Sequence, residues 1–236
     1  MKILAAFLSL MLLVATAVSP FRVKPPTGYD GKLWASTFAL YVTAEGMTKP
    51  VCTVTPYEKT PEGYRLISAG HCVQMVPAGA EFSVADDIGG PLTPITLVKA
   101  RLENTIDFSV FELKTKNKYT VAAFDTAPIQ VGDPTVSVHF AEGLGKQISH
   151  GVVASSGLPD VGRCKSLCGG YFIVQMYGAP GASGALVLSE KTHHVIGLVV
   201  FGFSGETLGM GIEPISEFAE FLSLPAQPHP AEDDEE

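Results

Sequence analysis

An all-β fold is predicted for this 236-residue chain by three observations. Its apolar residues fall in short runs rich in β-branched and aromatic side chains, glycine, proline or aspartate stands near most run ends, and helical periodicity is confined to one stretch near the C-terminus. Such repetition, with few helical periods between the runs, argues for a sandwich or barrel rather than alternating α and β units. The length suffices for one large β domain or two small barrels, and either buries a core that needs no oligomer. The 24 glycines and 17 prolines exceed average usage, fall short of a low-complexity composition, and suit a turn-rich chain.

The elements follow in order. Residues 1–17 read as a targeting segment: Lys2 supplies one positive charge, Ile3 to Val14 is apolar except for Ser9, and Ala15-Thr16-Ala17 offers a small-residue cleavage site. The expectation is a signal peptide cleaved after Ala17 and a secreted, periplasmic or otherwise extracytoplasmic product. The alternative is an uncleaved signal anchor, which would make this segment the only membrane contact. Residues 18–32 read as a linker punctuated by Lys24-Pro25-Pro26-Thr27-Gly28, with the ordered domain beginning near Leu33.

Strands are expected over Phe38 to Thr43, Arg65 to Ser68, Ile95 to Val98, Phe108 to Leu113, Thr135 to Phe140, Tyr171 to Met176, Ala185 to Leu188 and Val195 to Phe203. The pattern loosens between Lys118 and Gln130, which makes 121–130 the connection between an N-terminal unit, 33–120, and a C-terminal unit, 131–224. A closing helix is expected where Pro214 can occupy a first turn and Ile215, Phe218, Phe221 and Leu222 recur at three- and four-residue steps. Pro225 stops it, and residues 225–236 are expected to be a disordered acidic tail.

The formal charge of -8 is concentrated in that tail, where Glu232 to Glu236 supply five negative charges, so the body carries only about -3. No basic stripe is present of the kind that phosphate neutralisation demands, which excludes a nucleic-acid partner. Export makes the four cysteines disulfide partners; they admit three pairings, of which Cys52 with Cys72 and Cys164 with Cys168 is favoured. Zinc at Cys164 and Cys168 would need two further ligands that no cysteine or histidine pair at finger-like spacing supplies, so no metal and no cofactor is expected.

Three local patterns carry chemistry. Ile67-Ser68-Ala69-Gly70-His71-Cys72 ends a strand in small residues and presents a histidine. Asn104-Thr105-Ile106-Asp107-Phe108-Ser109-Val110 sets an aspartate at the mouth of an apolar strand. Gly178-Ala179-Pro180-Gly181-Ala182-Ser183-Gly184-Ala185-Leu186 holds a serine in a turn of small residues just before a buried strand. Each alone has an ordinary structural reading: a core histidine, a turn aspartate, a plain loop. Together they offer a hydroxyl nucleophile, a base beside it and an acid to fix the base's tautomer. Their chain order is His71, Asp107, Ser183. An α/β-hydrolase would run Ser, acid, His and would need glycine where Ala185 stands.

The chain resembles the chymotrypsin-like serine proteases. Ser68-Ala69-Gly70-His71-Cys72 is similar to the family's T-A-A-H-C, Asp107-Phe108-Ser109-Val110 to its D-[IF]-[AS]-[LV], and Gly181-Ala182-Ser183-Gly184 to its G-[DN]-S-G. Val131-Gly132-Asp133-Pro134 with Ser149-His150-Gly151-Val152-Val153 resembles the first hairpin of the second barrel in HtrA-type members. Pro180 to Val187 and Gly209-Met210-Gly211-Ile212 resemble two further HtrA segments. Several viral members share this pared-down form.

The resemblance implies two antiparallel six-stranded β-barrels with a short C-terminal helix, and a serine endopeptidase with His71, Asp107 and Ser183 as its triad. It also implies an oxyanion hole from the backbone N–H groups of Gly181 and Ser183, a Cys52–Cys72 bridge, and a protein or peptide substrate. A catalytically silent homologue acting as a secreted binding module is the alternative. Ala182 stands where zymogen-type members carry an aspartate, so activation through an ion pair to a newly cut N-terminus is not expected. By the same alignment Tyr177 falls at the base of the pocket for the substrate's P1 side chain, and Val200, Phe201 and Gly202 form the strand that pairs with substrate backbone. With no carboxylate at Tyr177, an apolar P1 is expected, and a small one if Tyr177 and Phe201 fill the pocket. His139, His150, His193 and His194 read as ordinary structural residues.

Overall fold

The computed structural model describes residues 25–103, 106–125, 129–155, 171–203 and 209–225. Twelve strands form two closed antiparallel barrels of six. The first comprises β1 (Phe38–Ala44), β2 (Met47–Lys59), β3 (Gly63–Ser68), β4 (Glu81–Ala85), β5 (Thr93–Glu103) and β6 (Ile106–Lys114), in the order β1-β2-β3-β6-β5-β4. The second comprises β7 (Pro134–His139), β8 (Gln147–Ser155), β9 (Phe172–Gln175), β10 (Leu186–Ser189), β11 (Val195–Phe203) and β12 (Gly209–Pro214), in the order β10-β11-β12-β9-β8-β7. Closure leaves each barrel without an exposed sheet edge, so backbone groups pair around the whole ring. The two-barrel architecture and the short C-terminal helix agree with the expectation.

Among the described residues three α-helices accompany the barrels: α1 (Gly28–Ala35), α2 (His71–Gln74) and α3 (Glu217–Ser223). Helix α1 lies partly within the segment read as a linker. Only its Leu33 is buried, so it shows no apolar stripe to read. It packs by single contacts: Tyr29 stacks on His193 at 4.3 Å, and Trp34 offers its carbonyl to Lys146. Pro214 does not open the closing helix as expected. It ends β12 opposite Gly197, and the helix starts three residues later behind Ser216, with Leu222 half exposed. The ring at 214 is tolerated because proline is admitted at strand ends, where a missing N–H breaks little of the ladder.

Phe218 and Phe221 of α3 reach across to the first barrel. Both rings pack on Phe108, at 5.2 and 5.6 Å, and Phe218 also meets Tyr57 and Phe124. The Lys99 ammonium from β5 lies over the Phe221 ring and donates to the carbonyls of Phe221, Leu222 and Leu224 at the end of α3. A cation there satisfies carbonyls left without helical donors and complements the helix dipole. The helix that follows the second barrel therefore closes the bottom of the first, and one apolar core runs between the two units.

Candidate active site

His71 opens α2, immediately after β3. The preceding Gly70 is required there: a Cβ on it would lie 2.0 Å from the carbonyl oxygen of Arg101 and 2.9 Å from that of Phe108, so no other residue lets the turn approach β5 and β6 this closely. Ser109 on β6 donates its hydroxyl to the Ala69 carbonyl at 2.8 Å, pinning the same turn. The small residues of the first motif thus bring the histidine onto the mouth of β6, where Asp107 sits buried. Asp107 grips it twice: Oδ1 accepts the backbone N–H of His71 at 2.7 Å, and Oδ2 lies 2.7 Å from Nδ1. A carboxylate only accepts, so Nδ1 carries the proton and the Nε2 lone pair is left for another donor. The imidazole is about one-fifth exposed, whereas Asp107 is shielded. Behind them the Cys52–Cys72 bridge ties β2 to α2, and its sulfurs lie within 4.8 Å of the imidazole nitrogen. In the oxidised bridge they offer no thiolate to a metal.

Ser183 lies in the turn between β9 and β10. Thr53, next to Cys52 on β2, anchors this turn at several points. Its N–H donates to the Ser183 carbonyl at 2.8 Å, and its hydroxyl donates to the Gly181 carbonyl at 2.8 Å and accepts the Phe140 N–H at 3.1 Å. Its carbonyl accepts the Ser68 hydroxyl at 2.7 Å. Gly184, at φ +83°, meets the same wall; a Cβ there would stand 2.1 Å from Ser68 Oγ and 2.2 Å from the Thr53 carbonyl. The serine-bearing turn of the second barrel therefore rests on the strand that leads to His71.

Backbone donors in the turn alternate. The N–H groups of Ala182 and Gly184 bond to the carbonyls of Ala179 and Val199, while among the described residues no backbone acceptor takes those of Gly181 and Ser183. Two N–H groups left open beside a serine can receive a developing oxyanion.

The expected substrate-side residues come from β11 and from the segment after β9. Val200, Phe201 and Gly202 are consecutive on β11, with Phe201 opposite Gly211 and Gly202 opposite Met210 on β12. Val200 is buried and Phe201 meets Tyr171 edge-on at 5.4 Å. Tyr177 is 40% exposed, with its ring 6.1 Å from that of buried His139. His139 Nε2 lies 2.8 Å from Ser149 Oγ, and burial pulls its pKa down to about 4, leaving it neutral near pH 7. The space between Gly178 and Gly202 is taken by the Met210 thioether instead: a Cβ on Gly178 would lie 2.5 Å from its sulfur, and one on Gly202 would lie 3.5 Å away. Cys164 and Cys168 lie outside the described residues.

Solved structures share this architecture. The Rv3671c protease from M. tuberculosis in its active form matches with a TM-score of 0.66 over 91% of this chain and 98% of that one, at 15% identity. The HtrA-type protease AlgW with a tripeptide matches at 0.64 and 21% identity over 84% of this chain, which spans only 63% of the AlgW chain. The serine endoprotease from Yersinia pestis matches at 0.62 and 16% identity, over 85% of this chain and 67% of that one. The fold is the chymotrypsin-like fold of HtrA-type proteases. No protein-family model and no curated protein sequence matches the chain.

Within this chymotrypsin-like frame, sequence reasoning missed three residues that shape the site: Thr53, Met210 and Glu213. A threonine beside a paired cysteine and a methionine in an apolar strand carry no signal of their own. Glu213 carries a faint one, as an acid inside the otherwise apolar run Met210 to Ile215. It is fully buried, and both its carboxyl oxygens lie 2.9 Å from the backbone nitrogen of Asp107. Burial, together with the charges of Asp107 and Glu217, pushes its pKa up to about 9, although the Asp107 N–H pulls the other way.

Proposed function

We propose that the chain is a serine endopeptidase in which Ser183 is the nucleophile, His71 the base and Asp107 the acid that orients the base. The observation that carries this reading is the 2.7 Å contact between His71 Nδ1 and Asp107 Oδ2, made on the wall against which the Ser183 turn rests. In the reaction, Ser183 Oγ attacks the scissile carbonyl carbon as its proton passes to His71 Nε2. The carbonyl π electrons move to oxygen, where the N–H groups of Gly181 and Ser183 receive the charge. When the intermediate collapses, the C–N bond breaks, the amine departs with the proton from His71, and an acyl-serine remains. Water then repeats the sequence in the second half-reaction and releases the acid. Asp107 remains ionised and stabilises the imidazolium throughout.

The filling of the space between Gly178 and Gly202 by Met210 supports a small apolar P1 residue. Peptide as the substrate class is supported by AlgW, whose structure holds a tripeptide. Export agrees with the formed Cys52–Cys72 bridge, since such bridges persist in oxidising compartments. Among the described residues no helix is long and apolar enough to cross a membrane.

The test is labelling with a fluorophosphonate probe alongside cleavage of a peptide library. Wild type should label at one site, Ser183→Ala should not label, and His71→Ala should lose about a million-fold in rate. Equal labelling of wild type and Ser183→Ala would sink the assignment. A folded wild type that neither labels nor cleaves would instead point to a silent binding module.

A further inference from the structure

Asp107 is the joint of the site, and one of its holds comes from the other barrel. Its two carboxylate oxygens are committed to His71, one to the backbone N–H and one to Nδ1. Its own backbone N–H is received by Glu213, an acid from β12 with no exposed surface. Burying a carboxyl group is costly unless it is neutral or compensated. The groups whose charges bear on Glu213 are Asp107 from β6 and Glu217 from α3, both acids. Tyr171, just before β9, has its pKa raised chiefly by burial and further by the nearby charges of Glu213 and Asp107. Glu213 is therefore held as the neutral acid near pH 7. It accepts the Asp107 N–H without setting a second negative charge beside His71.

We propose that Glu213 is a positioning residue for the triad: from the second barrel it fixes the backbone of Asp107, and through it the orientation of the imidazole. This rests on the endopeptidase reading. Ionisation of Glu213 would place two carboxylates side by side, and their repulsion would push Asp107 off its hold on His71.

The experiment compares wild type with Glu213→Gln, which keeps a neutral acceptor, and Glu213→Met, which removes it at similar volume. Three properties are read: the KM and kcat of peptide cleavage, the pH dependence of kcat, and the downfield proton resonance of His71 Nδ1–H. The Met variant should lose about 100-fold in kcat with KM little changed, as expected when a catalytic group is slightly misplaced, and its downfield resonance should move or broaden. Gln should restore the resonance and most of the rate. Wild-type kcat should fall as pH passes about 9, and the Gln variant should lack that fall. A folded Met variant with wild-type rate and resonance overturns the proposal. Should the Met variant fail to fold, Gln and wild-type profiles that coincide through the alkaline range overturn it equally. A wild type that cleaves nothing yet loses its downfield resonance in the Met variant refutes the endopeptidase and leaves the anchor standing.

Discussion

Thr53 shows how much of a site can depend on a residue that takes no part in the chemistry. Its hydroxyl sits between the Gly181 carbonyl and the Phe140 N–H, and its main chain holds Ser183 and Ser68. Valine has the same shape without the hydroxyl, so Thr53→Val should leave both Gly181 O and Phe140 N without their partner. A buried group stranded in this way costs about 1–3 kcal/mol. Because Gly181 is one of the two candidate oxyanion donors, the expected outcome is a fall in kcat of about tenfold or more, with the melting temperature lowered by several degrees. Pre-steady-state acylation measurements on the variant would check it; unchanged acylation would show that the turn holds its shape without this contact. Thr53 was not legible in the sequence and Glu213 only faintly, because each gains its role from a partner more than a hundred residues away. His71 and Ser183 stand out because each is framed by small neighbours, and Asp107 because it is an acid at the mouth of an apolar strand; Gly70 and Gly184 show that the small residues are those that permit close approach of backbone.

Among the elements, β12 lies behind the pocket that the P1 side chain is proposed to enter. Truncating Met210 to alanine should open the space between Gly178 and Gly202 and shift cleavage from small toward larger apolar P1 residues. One methylene is worth about 10- to 200-fold in discrimination by such a pocket. Profiling the products of a peptide library for both proteins would reveal the shift, and an unchanged P1 profile would mean that Met210 does not line the pocket. The strands that were readable, such as β6 and β11, gather apolar residues in buried stretches, 106–111 in one and 195–200 in the other. Those that were not have physical reasons for silence. Strand β2 carries Pro50 and Pro56, and its first four residues are exposed. Strand β4 is five residues long. Strand β8 alternates poorly and showed itself only through the resemblance of its Ser149 to Val153 segment. Helix α1 buries a single side chain, so periodicity had nothing to report.

For the molecule as a whole, buried titratable groups set the pH at which the two barrels hold together best. Glu213 keeps its proton to about pH 9 in the folded chain but releases it near 4.5 when unfolded, so over that interval the native state binds more protons and stability falls as pH rises. His139, pulled from 6.5 to about 4, has the opposite sign and offsets this below about 6.5. Lys146 is pulled from 10.5 to about 8 by burial beside Trp34 and Phe140, and it offsets the fall again above 8. From these three groups, stability should decline by about 1.4 kcal/mol per pH unit between pH 6.5 and 8, and Glu213→Gln should flatten that interval. Urea denaturation at several pH values would measure it; equal slopes in both proteins would contradict the burial of the proton. The Cys52–Cys72 bridge has a consequence at this scale too. It closes a 20-residue separation that contains β3 and ends beside the proposed base, a constraint worth about 3 kcal/mol. In a glutathione-rich compartment that clasp would open and the imidazole would lose its backing, so freshly synthesised chains should stay harmless to their maker until oxidation arms them. Vigorous proteolysis by fully reduced chains would break that link between redox environment and onset of activity.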